Sequence, residues 1–289
     1  MEIRKILQYR ILIVYLYKAF NIECSEAKVL PMYKIININK KNLMDYPQVI
    51  CFINAKNPYF NLKIDWLAKR FAEGLIIRLI HLDDSRKIAG FIEYIPGEVA
   101  WRAVSAKDYM FIHCIWVYPN ENKQKGFGST LIEEAVNDAK RMNMRGVAVV
   151  TSDGSFMAEK DLFLKNGFKV VDEIKNLQLL AMQFGKDKPS LSLNNTAETL
   201  AGFRGWNIIY TRQCPWVARF IEEIMPIIRQ EGIEVELKEL TTAREAQQAP
   251  SVYATFNLVK DGRLLADRYI SVTRFKNILA KERTRPTGS

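Results

Sequence analysis

The sequence predicts an α/β fold of the mixed (α+β) kind: a central sheet flanked by helices, then a smaller unit with a sheet and helices of its own. Three observations carry this. Residues 32–182 alternate between short β-rich apolar runs and segments with apolar residues at helical spacing. The stretch "ENKQKGFGST", residues 121–130, joins an apolar run to a helical one through two glycines. The stretch "GKDKPSLSLNNTAETLAG", residues 185–202, is polar and holds Pro and Gly, and a new strand–helix–strand order starts behind it.

Taken in order, "MYKIININ" from Met32 is β-rich, and residues 42–55 and 62–73 suit helices. Residues 75–82 and 87–96 flank the polar "DDSR" as a hairpin. "YMFIHCIWVY", 109–118, is an apolar strand ended by Pro119. Leu131, Ile132, Ala135, Val136, Ala139 and Met142 mark a helix, and "GVAVVT", 146–151, a buried strand. Residues 156–167 read as a helix closed by Gly167, and 168–174 as the last strand of the unit. Residues 183–205 read as a linker. Beyond it come a strand (206–211), an amphipathic helix ending near Gly232, a strand (233–240), a hairpin around "KDG" and a terminal helix from Val272. Residues 6–20 are apolar but carry Arg10 and Lys18, too short and too charged for a membrane span. They form a packed or surface helix, or translation begins at Met32; residues 1–31 are expected to be dispensable.

The 289 residues carry a net charge of +10, which favours an anionic partner. The Lys and Arg residues are scattered, with no interleaved basic and aromatic patch, so nucleic acid is not the expected partner. Cys24, Cys51, Cys114 and Cys214 lie far apart with no CxxC pair. That spacing gives neither a zinc signature nor a disulfide framework, and points to a reducing cytoplasm.

A glycine turn between strand and helix offers an anion backbone N–H groups and the positive helix end. Gly126 and Gly128 let the backbone approach phosphate without a Cβ between, and Lys123 and Lys125 add charge. The turn lacks the Lys-Ser/Thr pair of a P-loop. Lys123, Gly126 and Gly128, with the later "FLKNGF" from Phe163 to Phe168, resemble the two motifs of the GNAT N-acetyltransferases over residues 32–182. The whole chain looks like the YoaP-like acetyltransferases, on "AWRAV", "YMFIHCIWVYP", "GVAVVTS", "FLKNGF" and "VTRFKNIL". The resemblance implies acetyl-CoA as co-substrate and an amine-bearing acceptor; the residues themselves lead to the expectation of no metal and no membrane partner. It implies that Lys123, Gln124, Lys125, Gly126, Phe127, Gly128 and Ser129 cradle the pyrophosphate, and that amides of Ile115, Trp116 and Val117 serve the acyl group. Lys123 stands where the family has Arg or Gln. Phe163 stands where many members place a tyrosine that protonates the thiolate, a part left to Tyr118, Ser152 or Ser155, or to no acid at all.

His113 and Val117 lie four apart on one strand, hence on one face by the period of two. With a pKa of about 6.5, His113 suits a base that takes a proton from an ammonium. A packed, hydrogen-bonded strand histidine is the other reading. Glu93, Glu98 and Asp153 are further acceptor-side carboxylates, and Trp101, Arg102 and Trp116 line a cleft or fill the core. Cys114 alternates to the face opposite His113.

In "YTRQCPWVARF", Cys214 ends a strand just before a helix whose dipole lowers a thiol pKa. This resembles the Cys-Pro-aromatic start of thioredoxin and glutaredoxin folds, which assigns residues 206–289 to a thioredoxin-like domain with Pro250 as its cis-proline. Val217 replaces the second cysteine, so any redox role is monothiol. The expected function is acetyl transfer from acetyl-CoA to a primary amine by direct attack on the thioester. The alternative is a thiol-binding or redox protein acting through Cys214, with a regulatory acyl-CoA site.

Overall fold

The computed structural model describes residues 32–49, 51, 53–83, 88–152, 159–187, 190–194 and 196–285. The N-terminal run, Asp153 and Ser155 lie outside the described residues, and from Tyr33 onward the chain forms one compact unit.

Among the described residues, nine strands precede residue 194: β1 (Tyr33–Ile38), β2 (Ile76–Leu82), β3 (Ile88–Pro96), β4 (Val104–Ser105), β5 (Tyr109–Val117), β6 (Gly146–Ser152), β7 (Lys169–Ile174), β8 (Leu177–Gln183) and β9 (Ser192–Leu193). Seven form one sheet in the order β1-β2-β3-β5-β6-β8-β7, in which β5 and β6 run parallel. Helix α1 (Phe60–Ala72) buries Phe60, Trp66 and Leu67, and α2 (Phe127–Arg141) buries Phe127, Leu131, Ile132 and Ala135, the spacing that marks an amphipathic helix. A short α3 (Lys160–Lys165) precedes β7.

The expected helix over 42–55 is absent among the described residues. Leu43–Asp45 and Pro47–Val49 form single 3₁₀ turns instead, because Pro47 lacks the N–H that an α-helix interior needs. Strand β7 is not the last of the unit. The chain turns back as β8, which slots between β6 and β7 and buries Leu177, Leu179, Leu180 and Ala181. The polar segment expected to be a linker is also built in: β9 pairs with β4, and α4 (Ala197–Ala201) follows.

The second sheet runs β11-β10-β12-β13, from β10 (Trp206–Tyr210), β11 (Val235–Glu239), β12 (Phe256–Lys260) and β13 (Arg263–Ala266). Strands β10 and β11 are parallel, the other pairs antiparallel. Helices α5 (Pro215–Gln230) and α7 (Val272–Arg283) cover one face, where Phe220, Ile224, Phe275 and Leu279 pack on Ile208, Phe256 and Leu258. A short α6 (Ala243–Gln247) lies between β11 and β12. On the other face Ile209, Leu240 and Val259 join the core of the first sheet around Trp66, Trp101, Ile77 and Leu79. Each such side chain contributes about 1.5–3 kcal/mol on burial, so the two sheets share one hydrophobic core.

Candidate active site

Strand β5 is the axis of the site. Its pairing with β6 ends at Ile112 opposite Val149, although both strands continue. Beyond that point they part, and the backbone of residues 113–117 borders the opening. On the other side, the register with β3 slips: Glu93 lies opposite Cys114, while Tyr94 lies opposite Ile112. His113 is therefore an extra residue on β5, a β-bulge that shifts the side-chain alternation.

That shift corrects the face assignment. Cys114 and Trp116 pack into the core beside α1, and the His113 ring lies 6.4 Å from Trp66 in the same region. His113 thus shares a side with Cys114, and its expected partner Val117 alternates away. The His113 ring is enclosed, and its Nε2 accepts the Trp101 N–H at 2.8 Å. The proton then sits on Nδ1, which faces Glu93 Oε1 at 3.7 Å. Burial pulls the histidine pKa down to about 4 against the pull of Glu93, so the ring is neutral and has no free lone pair for an acceptor's proton.

Glu93 is also committed. Burial raises a carboxyl's pKa, but the Lys63 ammonium at 2.8 Å and His113 outweigh it and hold Glu93 well below the ordinary range. Its other oxygen accepts from Gln213 Nε2 at 3.0 Å. Glu98 accepts the Asp108 N–H at 2.7 Å in an exposed turn. Trp101 is core, edge-on to Trp66 at 5.5 Å with the Arg70 guanidinium 4.3 Å over its ring.

The glycine turn lies at the start of α2. Gly126 caps the helix at φ 96°, a left-handed conformation that penalises any side chain, and Gln124 sits at φ 62°. Its N-cap, Gly126, has no side chain to satisfy the first N–H groups, and its first turn holds no acid, while Lys123 and Lys125 are exposed beside it. Phe127 is buried edge-on to Tyr33, so only its backbone faces the turn. Gly128 makes room for a different neighbour than expected: a Cβ there would meet Leu162 Cδ1 at 3.0 Å. Ser129 accepts from Asn166 Nδ2 at 3.0 Å, and both line a groove along α2. Asn166 carried no signal beyond its place in "FLKNGF". Phe163 is fully buried against Phe168.

In the C-terminal unit, the expected lowering of the Cys214 thiol is overturned. Burial raises it more than the N–H groups of Trp216 and Val217 lower it. Cys51, Cys114 and Cys214 lie close enough to act on one another around Lys63 and Glu93, and burial pushes the Cys114 thiol up to about 12. All three are free thiols. Pro250 is not the expected cis-proline: among the described residues the cis peptide bond is Tyr118–Pro119. Sequence reading missed Lys63 and Gln213, whose partners lie 30 and 120 residues away.

Residues 42–168 match the Acetyltransferase (GNAT) family. The segment is a GNAT acetyltransferase domain. The chain is an acyltransferase by virtue of it. The uncharacterized N-acetyltransferase YoaP of Bacillus subtilis (strain 168) is 28% identical over 251 residues, spanning 84% of this chain and 97% of that protein. That share exceeds what residues before the second sheet supply, so the likeness extends into the C-terminal unit. Among solved structures, the PaiA N-acetyltransferase of Thermoplasma acidophilum in complex with coenzyme A is 16% identical, covering 53% of this chain and 99% of its own at a TM-score of 0.39. A GNAT acetyltransferase of Brucella melitensis in complex with acetyl-CoA is 19% identical, covering 55% and 93% at 0.36. Similarity this low adds nothing to the family match. No helix among the described residues is long and apolar enough to cross a membrane.

Proposed function

We propose that the protein transfers an acetyl group from acetyl-CoA to a primary amine of a small molecule or peptide, by direct attack on the thioester. The observation that carries this reading is the parting of β5 from β6 beside the glycine-capped, lysine-flanked start of α2. In this reading the pyrophosphate sits at residues 123–129, where backbone N–H groups and Lys123 and Lys125 meet it. The pantetheine runs between β5 and β6, and amides of Ile115, Trp116 and Val117 hold the thioester oxygen as it gains charge. His113 keeps the bulge in place rather than taking a proton, so the amine reaches the thioester already neutral. Thiolate, with a pKa of about 8.5, leaves without obligatory help from an acid. The half-exposed Tyr118, the residue directly after β5, is the candidate hydroxyl for that task. The reading places the chain in the cytoplasm, with its acetyl-CoA.

Residues 206–289 are assigned a thioredoxin-like fold. Support comes from the order β11-β10-β12-β13, the parallel β10–β11 pair and the Cys214-Pro215 start of α5. The unit docks on the acetyltransferase domain. A raised, half-buried Cys214 thiol weighs against the monothiol redox alternative.

Calorimetric titration with acetyl-CoA tests the reading, with Gly126→Glu as comparison. Binding by the wild type and its loss in the folded variant is the expected result. A wild type that does not bind acetyl-CoA sinks it.

A further inference from the structure

The segment carrying Trp101 and Arg102 is held by the C-terminal unit at several points. Ala103 donates its N–H to Val252 O at 3.0 Å, and Gln247 Nε2 donates to Glu98 O at 2.9 Å. Deeper in, Arg102 is only 2% exposed and stacks 4.3 Å over Tyr253. Its Nη1 donates to Trp101 O and to Gln213 Oε1, both at 2.6 Å, and its Nη2 donates to His113 O at 3.0 Å.

His113 is thereby fixed twice. Trp101 N–H holds its ring and Arg102 holds its carbonyl. The bulge at this residue sets the course of β5 past the splay, so whatever orients Arg102 also orients the amides that follow. Gln213 is the group that does so from the far side of the shared core. Its amide has one donor end and one acceptor end, and it uses both: Nε2 toward the acceptor-only Glu93 carboxylate, Oε1 toward the donor-only Arg102 guanidinium. Gln213 is itself 5% exposed, and its backbone N–H is held by Thr211 Oγ1 at 3.3 Å. Without it, a buried cation and a buried anion each lose a hydrogen bond that water does not replace at this depth.

We propose that Gln213 is a positioning residue for acetyl transfer, through which the C-terminal unit holds Arg102 and Glu93 so that the His113 bulge presents the β5 amides to the thioester oxygen. This rests on the reading above that those amides hold the acyl oxygen. The C-terminal unit then completes the transferase site.

The test uses the full chain and acetyl-CoA labelled with carbon-13 at the thioester carbonyl, followed by difference infrared spectroscopy. Hydrogen bonding from the amides lowers the carbonyl frequency on binding to the wild type. In Gln213→Ala the band is expected to return toward its free position, while acetyl-CoA affinity changes by less than about threefold. Gln213→Glu keeps the shape and the Arg102 partner but cannot donate to Glu93 while ionised, so it decides the matter if the alanine variant does not fold. Gln247→Ala removes two bonds to the same segment, to Glu98 O and Ala100 O, and none to Arg102, and its band is expected to match the wild type. An unmoved band in a folded Gln213 variant overturns the proposal, as does an equal movement in Gln247→Ala. A wild type that binds acetyl-CoA without any band shift overturns the amide reading and this proposal with it. Failure to bind at all strikes the acetyl-CoA reading instead.

Discussion

Two helix starts in this chain look alike in sequence and behave differently in the fold. Both α2 and α5 follow an apolar strand and a turn, with Gly126 at the head of the first and Cys214 at the head of the second. At α2 the turn is exposed and flanked by lysines, so the positive helix end faces solvent and any anion in it. At α5 the start is pressed against the first sheet, with Gln213 and Cys214 facing Lys63, Glu93 and Arg102. There, two backbone N–H groups fail to lower the thiol because burial costs the thiolate more than they return. The lesson is that a helix N-terminus favours an anion only when the anion's desolvation does not exceed the dipole's help.

The largest expected effect comes from breaking the closed start. Lys63→Met leaves Glu93 buried beside Gln213 without its cation, and chemical denaturation is expected to show a loss of about 3–5 kcal/mol. A loss below about 1 kcal/mol would mean that Glu93 simply takes up a proton.

Acid should open the same region. His113 has its pKa depressed in the fold, so the unfolded chain binds the extra proton first. Its contribution is fully present above pH of about 6.5 and is lost as pH falls toward about 4. That window amounts to about 3 kcal/mol at most. Glu93, also depressed, loses its contribution only below the ordinary Glu range of about 4.3. Stability of the wild type and of His113→Gln measured from pH 7.5 to 5 separates the two. The slope should flatten in the variant, and equal slopes would refute the buried neutral histidine.

The open start is tested by charge. Lys123→Glu with Lys125→Glu, both exposed, should leave the melting temperature unchanged and weaken acetyl-CoA binding by about 10-fold at low salt. The gap should narrow as salt is added. Affinity insensitive to both changes would move the pyrophosphate elsewhere.

The smallest effect is expected at Cys214. Cys214→Ser should leave acetyl transfer unchanged and shift stability by no more than about 0.5–1 kcal/mol. Iodoacetamide should label this thiol more slowly at pH 7 than an unshifted cysteine does. Rapid labelling, or lost transfer in the serine variant, would restore the thiol alternative.

Much of the fold was legible because its signals are local. The apolar spacing of Leu131, Ile132, Ala135 and Ala139 gave α2, and the strands at 76–82, 109–117 and 146–152 stood out as apolar runs. Local signals also misled. Pro47 is outweighed by its helix-like neighbours, and "LQLLAMQ" gives no clear strand signal, although it pairs on both sides, between β6 and β7. The glycine turn, read from ten residues, lies where expected at a helix start. The face of His113 did not, because a bulge belongs to the pairing of two strands and cannot be counted along one.

The sequence by itself determined most of the strands, the amphipathic helices α2 and α5, the glycine turn at the head of α2 and the presence of a second unit. Each depends on residues within a turn or two of one another, whose backbone preferences and apolar periods act before any long-range contact forms. Tertiary structure alone decided what the buried polar groups do. Lys63, Glu93, Arg102, His113 and Gln213 come from segments up to 150 residues apart and meet where two sheets share a core. In that dry place each charge must find its partner, and the partner, rather than the residue type, fixes its role.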